Sequence, residues 1–304
     1  MTDLIIGDNS FIGVSHLSQE RAMERTEKLD VTAITEIIES AHRAGAVGYT
    51  FSTHPINVQI LQALNESSFS LPFQLYPILP YAQAYVRLAN EKGIRGLIDE
   101  IFSKLPVATK AKVMIDGGFS ALKQDFLGLF RTYVDIELGT YLRVKPRSAV
   151  VGSVLLHEVV TDLCLGLRDP RVFETFAKHV REKYQATPGF VTYNLPSLVE
   201  FFRESGLDLN VAIMTPFNSI GYQMSPSREA CEKCLAELSG TRIIAMSILA
   251  GGFLRLDDAT TYLSSLPSLS GMAVGVSSKE HARETFSQLR SMTQKSTRNI
   301  RHAD

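Results

Sequence analysis

Eight apolar runs of strand length recur along the chain, and each is followed by small or polar residues and then by a helical pattern. Strands that are buried on both faces are apolar throughout, so this alternation favours parallel strands joined by helices. Eight such units fit within 304 residues and predict an α/β fold, a (β/α)8 barrel of the TIM type. The runs lie at residues 4–7, 46–51, 73–79, 149–156, 190–194, 210–214, 242–253 and 271–278.

The clearest of the helical patterns follows the first run. Asp30 has a side chain suited to a helix N-cap, and Gly45 is suited to end the helix. Between them, apolar residues recur at helical spacing and predict one buried face, made by Ile34, Ile37, Ile38, Ala41 and Ala44. The sequence therefore predicts a complete βα unit over the first 45 residues.

The regular alternation is interrupted between the third and fourth predicted strands. Residues 82–147 are too many for one crossover and too apolar for a disordered linker. We therefore expect an inserted helical segment there, within a single domain of residues 1–304. The apolar residues of 120–142 need a covering surface, either within the chain or from another copy. This region is a candidate contact for a homo-oligomer.

Composition limits the classes of partner. The formal net charge is −1, which gives no electrostatic basis for binding nucleic acid or an anionic membrane. The chain has no apolar run of membrane-spanning length, and residues 1–3 lack the basic start of a signal peptide. Its three cysteines do not make a disulfide framework. These features predict a cytoplasmic protein that acts on a small molecule.

Small residues end the last two predicted strands. Glycine lets the backbone approach a ligand closely, and a helix that starts there offers unpaired N–H groups to an anion. In β/α barrels the loops after strands seven and eight are the usual phosphate site, so we expect a phosphate or a phosphorylated cofactor. The spacing of Ser277 and Glu280 also predicts a capping box. The candidate residues are Ser247, Gly251 and Gly252 after the seventh strand, and Gly275, Ser277, Ser278 and Lys279 after the eighth.

Polar side chains that could carry chemistry follow several other strands. Two histidines with two carboxylates have the composition of a divalent-metal site or of a general acid/base pair. In a barrel the strand ends meet, so these side chains can converge on one pocket. Each also has a structural alternative, because a histidine can cap the next helix and an aspartate can form a turn. The candidates for catalysis are Asp8, Ser52, His54, His157 and Glu158.

Several segments resemble the aldo-keto reductase family. Residues 44–53 match the way that family enters its second strand, and residues 155–157 fall where it carries an active-site histidine. Residues 209–254 look like its sixth and seventh strands with the glycine-rich loop that follows. Residues 275–278, with Glu284 after them, are similar to its last strand and to the helix that holds the adenosine phosphate end of the cofactor.

The resemblance implies NADP or NAD as cofactor. Asn194 falls where the family holds the nicotinamide amide, and Asn218 could hydrogen-bond a carboxamide or a substrate hydroxyl. The family reduces carbonyls with an acid, a tyrosine, a lysine and a histidine. At the matching positions this chain has Ser52 for the acid, Asn57 for the tyrosine and His157 for the histidine, and its third strand ends without a lysine. The tyrosine–lysine proton donor cannot be built from matching positions.

Three functions are open at this point. The first is a divergent aldo-keto-reductase-like enzyme that binds NAD(P)(H), or another phosphate-bearing ligand, at the C-terminal barrel face with non-standard active-site residues. The second is a lyase, isomerase or aldolase on a phosphorylated small molecule, in which Asp8, His54 and His157 transfer protons or hold a divalent metal. The third is a non-catalytic binding barrel whose apolar insertion serves a partner. Polar residues at six strand ends favour an enzyme.

Overall fold

Parallel strands alternate with helices along the chain, as the sequence predicts. The computed structural model describes residues 2–13, 30–67, 73–80, 91, 103, 126–267 and 269–301. The strands are β1 (Asp3–Gly7), β2 (Gly48–Ser52), β3 (Gln74–Leu79), β4 (two short segments, Val150–Val151 and Ser153–Leu156), β5 (Thr187–Val191), β6 (Ala212–Pro216), β7 (Arg242–Met246) and β8 (Gly271–Gly275).

Nine α-helices occur within those described ranges, and none of them is both long and apolar enough to cross a membrane. A π-helical turn, Val180–Tyr184, extends the fifth helix, and a 3-10 turn, Ala250–Gly252, precedes the eighth. The helices are α1 (Val31–Ala44), α2 (Pro55–Glu66), α3 (Phe126–Val144), α4 (Glu158–Gly166), α5 (Pro170–His179), α6 (Leu195–Glu204), α7 (Arg228–Glu237), α8 (Leu256–Ser265) and α9 (Lys279–Arg301).

The strands close into a barrel because the first pairs with the last. β1 pairs in parallel with β2 on one side and with β8 on the other, and at the closing edge Gly7 pairs with Gly275. Each remaining strand pairs with its neighbours in chain order. The predicted (β/α)8 barrel is therefore confirmed. All the carboxyl ends of the strands meet at one mouth, where barrel enzymes build their sites.

The predicted ends of α1 are also confirmed. Asp30 is the N-cap, and its Oδ1 accepts a hydrogen bond from Ala33 N at 2.7 Å. Gly45 ends the helix with a φ of 122°, a backbone conformation that residues with a Cβ rarely adopt. The predicted stripe between them is buried against the strands.

Side chains alternate along each strand and form two apolar cores. The larger core lies between the strands and the helices and includes Tyr49 and Phe51. The smaller core fills the barrel interior and includes Tyr76 and Leu155. His157 comes two residues after Leu155, so its side chain continues the row that faces the barrel interior. His157 therefore lies at the carboxyl-terminal mouth of the barrel.

A polar cluster fills the opposite, amino-terminal end of the interior. The Tyr76 hydroxyl lies 3.1 Å from Asp3 Oδ2 and 2.8 Å from Gln74 Oε1. Arg242 donates to the same Asp3 oxygen at 3.2 Å. A Cβ on Gly48 would lie 2.7 Å from Tyr76 Cε2, so a glycine is needed to leave room for the ring. With that end filled, a ligand has to be sought at the carboxyl-terminal mouth.

Helix α3 occupies the place of an ordinary barrel helix between β3 and β4. Val134, Leu138 and Tyr141 are buried in the outer core. Phe130 contacts Phe176 of α5, with ring centroids 6.2 Å apart. The apolar face that needs a covering surface on sequence grounds is therefore covered within the chain along these residues.

The predicted insertion, residues 82–147, overlaps this helix. Within it, residues 126–144 form helix α3, and the inserted segment as a whole stays a prediction. Apart from Glu91 and Ser103, the rest of the segment before α3 lies outside the described residues. The helical and strand patterns predicted there stay predictions, and so does the contact between two copies through residues 120–142.

Three strands start two or more residues away from their predicted positions, and one of them is β2, which starts at Gly48 instead of Ala46. β6 starts two residues later than predicted, whereas β5 starts three residues earlier, because Pro188 and Gly189 resemble a turn in the sequence. In the barrel Gly189 is required within the strand. An added Cβ would lie 2.2 Å from Leu155 Cδ2 and 3.0 Å from Ala212 O. The close approach of neighbouring strands therefore overrides the local preference of this glycine.

Sequence reasoning missed one helix, α4, whose first residue directly follows His157. Val159, Leu163 and Leu167 on and just beyond this helix are exposed, by 51%, 59% and 69%. Cys164, in contrast, is buried in the outer core. Apolar side chains thus occur on both faces, and this removes the contrast from which an amphipathic helix is recognised.

Candidate functional site

His157 stands at the carboxyl-terminal end of β4 and caps α4. Its backbone N–H donates to Leu79 O at 2.9 Å, which continues the ladder between β3 and β4. Its side chain is the N-cap, with Nδ1 3.3 Å from Val159 N. The side chain is only 12% exposed. These contacts hold the ring at the mouth of the barrel.

The electrostatics at His157 favour a neutral ring. Burial lowers the pKa of His157 to about 4, so the imidazole is uncharged at neutral pH. The neighbouring carboxyl acts in the opposite direction, because Glu158 Oε2 lies 3.1 Å from Nδ1. Burial accounts for the lowered pKa of His157. A neutral imidazole has one donor and one acceptor nitrogen, so the position of its single proton decides its chemistry.

Glu158 links this histidine to β5. The Tyr193 hydroxyl donates to Glu158 Oε1 at 3.5 Å. One turn further along α4, Asp162 accepts from the Thr192 hydroxyl at 2.5 Å and from Tyr193 N at 3.4 Å. Burial raises the pKa of Asp162 above its usual value. The first turns of α4 and the end of β5 therefore form one hydrogen-bonded unit.

Asp8 lies in a second buried cluster, where β1, β2 and the start of α2 meet. Its Oδ2 accepts hydrogen bonds from Ser52 N and from Asn57 Nδ2, both at 2.8 Å. Burial raises the pKa of Asp8 to about 6, and the two hydrogen bonds oppose that shift. A carboxyl with this pKa can exchange a proton close to neutral pH.

Asn57, which the sequence resemblance matches to the reductase family's tyrosine, has a side chain that is hydrogen-bonded through both its nitrogen and its oxygen. Nδ2 donates to Asp8 Oδ2 and to Ser52 O, the latter at 2.9 Å, and Oδ1 accepts from the Tyr49 hydroxyl at 2.6 Å. Burial raises the pKa of Tyr49 well above its usual value, so this phenol keeps its proton. Because Tyr49 belongs to the outer core, the Asp8 cluster extends toward the helices and not into the barrel interior.

His54 and Asn194 also cap helices. His54 Nδ1 lies 3.2 Å from Ile56 N at the start of α2, so the capping role that the sequence leaves open is present. Asn194 Oδ1 accepts from Ser197 N at 3.2 Å at the start of α6. Asn194 Nδ2 makes no hydrogen bond within the part of the chain that the structure describes, so this nitrogen can donate to a ligand.

Asn218 joins the loops that follow β6 and β7. Its side chain is buried, and Nδ2 donates to Tyr222 O at 2.9 Å and to Ser247 O at 3.3 Å. Oδ1 accepts from Tyr222 N at 2.7 Å. Both amide hydrogens are therefore committed to backbone carbonyls. Asn218 therefore holds the backbone of the loop at Ser247 in place. The contact between Asn218 and a ligand stays a prediction.

The loop after β7 contains a cluster of left-handed residues. Ser247, Ala250, Gly251 and Gly252 have φ values of 51°, 48°, 70° and 103°. A left-handed residue that follows a right-handed one, as Ala250 follows Leu249, can present successive N–H groups on one side and form a concave anion site. Gly252 is exposed, and so is Phe253 beside it. The glycine-rich loop therefore presents bare backbone at the barrel mouth.

Helix α9 begins where the sequence predicts, but with a different cap. Ser278 Oγ accepts from His281 N at 3.1 Å, so Ser278 is the N-cap. The predicted capping box of Ser277 and Glu280 is therefore wrong by one residue. The two serines are adjacent and equally suited to cap, so the sequence alone does not separate them.

The other predicted phosphate residues near α9 have varied surroundings. Lys279 donates to Glu36 of α1 at 2.8 Å, which directs its ammonium group away from the barrel axis. Glu284 is exposed on the surface of the helix. An added Cβ on Gly275 would lie 3.0 Å from Ser10 Oγ, so the loop after β1 packs closely against the end of β8.

The predicted catalytic and binding residues fall into separate groups at one mouth. Within the described residues, no three His, Cys, Asp or Glu side chains come together in a group that could hold a metal ion. Among the predicted residues, hydrogen bonds join Asp8 to the Ser52 backbone and Asn218 to the Ser247 backbone, and the His157 ring contacts the Glu158 carboxylate.

Sequence reasoning did not select Asp162 and Thr192, although they fix the end of β5 beside His157. The available signal was an acidic residue four positions after Glu158, which is one helical turn. That signal has meaning only if α4 is recognised, and its apolar exposed face hides the helix. Tyr49 was also missed, because its row on β2 looks like ordinary core.

No family model matches the chain, and no curated protein matches it. Solved structures do. A protein from Pseudomonas aeruginosa described as an aldo-keto reductase has a TM-score of 0.57 and 13% identity over 95% of this chain and 90% of its own. A second structure of that kind from the same organism has a TM-score of 0.54 and 12% identity, with the same coverage of both chains.

A third structure, described as a 2,5-diketo-D-gluconic acid reductase B, has a TM-score of 0.53 and 10% identity over 96% of this chain and 86% of its own. At such low sequence identity the similarity is one of fold alone. It agrees with the closed parallel barrel. The protein therefore has an aldo-keto-reductase-like (β/α)8 barrel fold.

Proposed function

We propose that the protein is an oxidoreductase that binds NADP(H) or NAD(H) at the carboxyl-terminal mouth and acts on a small molecule with non-standard active-site residues. The observation that carries this proposal is His157. It lies at a strand end in a barrel of the aldo-keto-reductase type, with a ring that burial keeps neutral, and the sequence resemblance matches it to that family's active-site histidine. A barrel that only binds a partner has no need of such a group.

The loops after β7 and β8 suit the phosphate end of a dinucleotide. Gly251 and Gly252 have positive φ and no side chain, so a phosphate can approach their backbone closely. β7 and β8 are paired, which brings this loop next to the start of α9, a helix of 23 residues. The partial positive charge of a helix N-terminus favours an anion. Cofactor residues in this proposal are Ser247, Gly251, Gly252, Gly275, Ser277 and Ser278, with Lys279 and Glu284 beyond them.

The nicotinamide end would lie near β5. Asn194 Nδ2 can donate to the carboxamide oxygen while Oδ1 keeps its capping bond to Ser197 N. When bound, the nicotinamide supplies or accepts the hydride. The residues of the chain then have to orient the substrate, exclude water and move one proton.

His157 is the proton-transfer group in this proposal. Asn57 cannot take the role of the family's tyrosine, because an amide does not titrate and its side chain already bonds Asp8, Ser52 and Tyr49. The Asp8 carboxyl can titrate, but its bonded oxygen faces Asn57 and the Ser52 backbone. Asp8 and Ser52 therefore shape the site, and a metal ion has no place in the proposal. The cytoplasmic location stays a prediction.

The first experiment is a titration with NADPH and with NADH, followed through the fluorescence of the reduced nicotinamide. The chain contains no tryptophan, so its own emission interferes little. We expect saturable binding of one dinucleotide in the micromolar range. Absence of binding by both dinucleotides at millimolar concentration would contradict the proposal.

A matched pair of glycine variants tests the place of binding. Gly251→Ala and Gly206→Ala put a side chain on backbones with nearly equal φ, 70° and 66°. An added Cβ at Gly206 meets no atom within 4 Å, so that variant measures backbone strain alone. We expect Gly251→Ala to weaken dinucleotide binding several-fold and Gly206→Ala to leave it unchanged.

Thermal shifts with phosphate and sugar phosphates complete the test. If these ligands bind and no dinucleotide does, the lyase or isomerase hypothesis replaces the oxidoreductase one. His54 and His157 are then the first residues to mutate. If the titration succeeds, a screen of small carbonyl and hydroxyl compounds identifies the substrate class.

A further inference from the structure

Helix α4 presents a row of apolar side chains to solvent. Val159, Leu163 and Leu167 are exposed by 51%, 59% and 69%, and each follows the one before it by four residues. Side chains at that spacing lie on one face of a helix. A surface helix ordinarily turns polar residues outward, so solvent exposure alone does not account for this row. We call these three residues the α4 stripe.

The two carboxylates of α4 are directed to the barrel, so neither interrupts the stripe. Glu158 Oε2 lies 3.1 Å from His157 Nδ1, and its Oε1 accepts from the Tyr193 hydroxyl at 3.5 Å. Asp162 accepts from the Thr192 hydroxyl and from Tyr193 N. The helix contains no lysine and no arginine. Its outward face is therefore apolar along its whole length.

Helix α3 shows the contrast. Its apolar side chains Val134 and Leu138 are buried, because they pack within the barrel's own outer core. The α4 stripe has no such cover, although the buried Cys164 on the opposite face shows that α4 itself is packed against the barrel. Single exposed apolar residues are normal on any protein surface, but a continuous row of three favours a contact with another surface.

The stripe is symmetric about Leu163. Val159 and Leu167 lie four residues from it, one on either side. When two copies of α4 pack antiparallel with Leu163 against Leu163, Val159 of each copy meets Leu167 of the other. A surface that matches itself in this way is what a two-fold symmetric dimer requires. An unrelated partner would not need this symmetry.

The charges at the ends of α4 follow the same symmetry. Glu158 and Arg168 lie five residues from Leu163, one on either side. In the antiparallel arrangement the carboxylate of one copy is therefore level with the guanidinium of the other, at both ends of the contact. The Arg168 side chain is 66% exposed and bonds Glu204 through Nη2, which leaves further N–H donors for a second carboxylate.

We infer that the α4 stripe is a contact between two copies of the chain, related by a two-fold axis that passes near Leu163. The inference needs no ligand, so it does not depend on the proposed oxidoreductase function. Since α4 starts directly after His157, the contact lies beside the barrel mouth and brings the mouths of two copies onto the same side of the dimer.

The size of the stripe sets the strength of this dimer. At its exposures the three side chains contribute on the order of 200 Å² of apolar surface per copy. A stable interface of standard size buries about 800 Å² per partner. The stripe is therefore the apolar centre of a small interface with a polar rim. The dimer is reversible and depends on protein concentration.

Sedimentation velocity of the full chain over a range of concentrations tests for the dimer. We expect a reversible equilibrium between one and two copies with a dissociation constant of roughly 10–100 µM, in keeping with an interface below the standard size. A chain that sediments as a single copy up to about 500 µM, well above that range, overturns the inference.

A matched pair of variants tests the place of the contact. Leu163→Arg and Val150→Arg each put a charge on an exposed apolar position, since the two residues are 59% and 57% exposed. We expect Leu163→Arg to raise the dissociation constant at least tenfold, as for a residue at the centre of an interface, and Val150→Arg to change it by less than about twofold. A dimer that persists in Leu163→Arg, or that weakens equally in both variants, overturns the inference.

Cysteine cross-linking tests the antiparallel arrangement. The variants are made in a Cys234→Ser background, because Cys164 and Cys231 are buried. Under mild oxidation with diamide, which takes up the two thiol hydrogens as the disulfide forms, Leu163→Cys should cross-link to its own copy.

Val159→Cys should cross-link when mixed with Leu167→Cys and much less by itself, because antiparallel helices keep the two copies of residue 159 apart. Cross-linking of Val159→Cys alone that is as fast as in the mixture would show parallel helices and overturn the two-fold axis near Leu163.

Discussion

The side-chain amide of Asn57 donates to Asp8 Oδ2 at 2.8 Å, so a neutral group supports this buried carboxyl. A cation in that place would hold the pKa of the carboxyl low. Here burial dominates and raises the pKa of Asp8 to about 6. The cluster thus keeps the shape of the strand-to-helix turn after β2 while it leaves a titratable group in a dry environment.

The first prediction concerns stability against pH. Burial raises the pKa of Asp8 in the folded protein to about 6, above the usual value of 3.8 for an aspartate in an unfolded chain. A raised pKa means that the folded protein binds the proton more tightly than the unfolded chain, so the stabilising contribution is complete below pH 3.8 and is lost as pH rises through 6. We expect the unfolding free energy of the unmodified protein, relative to Asp8→Asn, to fall by on the order of 3 kcal/mol between those limits.

Urea unfolding of both proteins at a series of pH values measures this difference. The Asp8→Asn variant keeps an oxygen to accept from Ser52 N and does not titrate, so it isolates the carboxyl. A difference that stays constant or grows with pH would show that the pKa of Asp8 is not raised.

The second prediction concerns the Tyr49 hydroxyl, which donates to Asn57 Oδ1 at 2.6 Å. Tyr49→Phe leaves that oxygen buried without its donor, which should lower the free energy of unfolding by about 1–3 kcal/mol. Tyr141→Phe is the control, because the Tyr141 hydroxyl makes no hydrogen bond within the described residues although its ring is buried. Chemical denaturation compares the two, and equal losses would contradict the prediction.

The third prediction concerns Gly189 on β5. Gly189→Ala would place a Cβ 2.2 Å from Leu155 Cδ2 and 3.0 Å from the backbone oxygen of Ala212. We expect a loss of about 3 kcal/mol in the free energy of unfolding, at the upper end for overpacking. Gly166→Ala, at the end of α4, is the control, because an added Cβ there meets nothing within 4 Å.

A second substitution shows whether the clash has the stated cause. Leu155→Ala in the Gly189→Ala background removes the nearest atom, so the two changes together should lose less than the sum of their separate effects. Additive losses measured by urea unfolding would instead assign the damage to the backbone contact with Ala212.

The fourth prediction separates the two serines before α9. Ser278 Oγ accepts from His281 N at 3.1 Å, whereas Ser277 has no such bond within the described residues. Ser278→Ala should lower the free energy of unfolding by about 1 kcal/mol, and Ser277→Ala should have little effect. Thermal unfolding of the two variants ranks them, and the opposite order would restore the capping box of Ser277 and Glu280.

The barrel could be predicted from sequence because buried parallel strands are apolar on both faces and recur at even spacing. Its finer geometry depends on contacts between distant residues. Gly189 resembles a turn residue until Leu155 and Ala212 are known to lie against it. Helix α4 could not be recognised from the sequence, because Val159 and Leu163 on its exposed face are apolar and the helix has no polar face to contrast with its buried one.

The location of the candidate site at the strand ends could be predicted from the sequence, but the contacts between its side chains could not. His157 follows an apolar run, and that is enough to put it at a strand end. Its relation to Glu158 depends on a side-chain rotamer, which no pattern records. Whether the strand-end residues share one pocket also depends on the direction of each side chain, and that of Asp8 turns toward Asn57 and the helix layer.

Closure through β1 and β8 has a consequence for how the chain is made. Of the eight barrel strands β1 is synthesised first, and it gains its second hydrogen-bonded neighbour only when the last strand, β8, exists, since Gly7 pairs with Gly275. Until then one edge of β1 offers unpaired backbone groups to any other strand it meets. A chain truncated before residue 271 therefore has an open sheet with two such edges. Such a sheet can aggregate and is a substrate for chaperones.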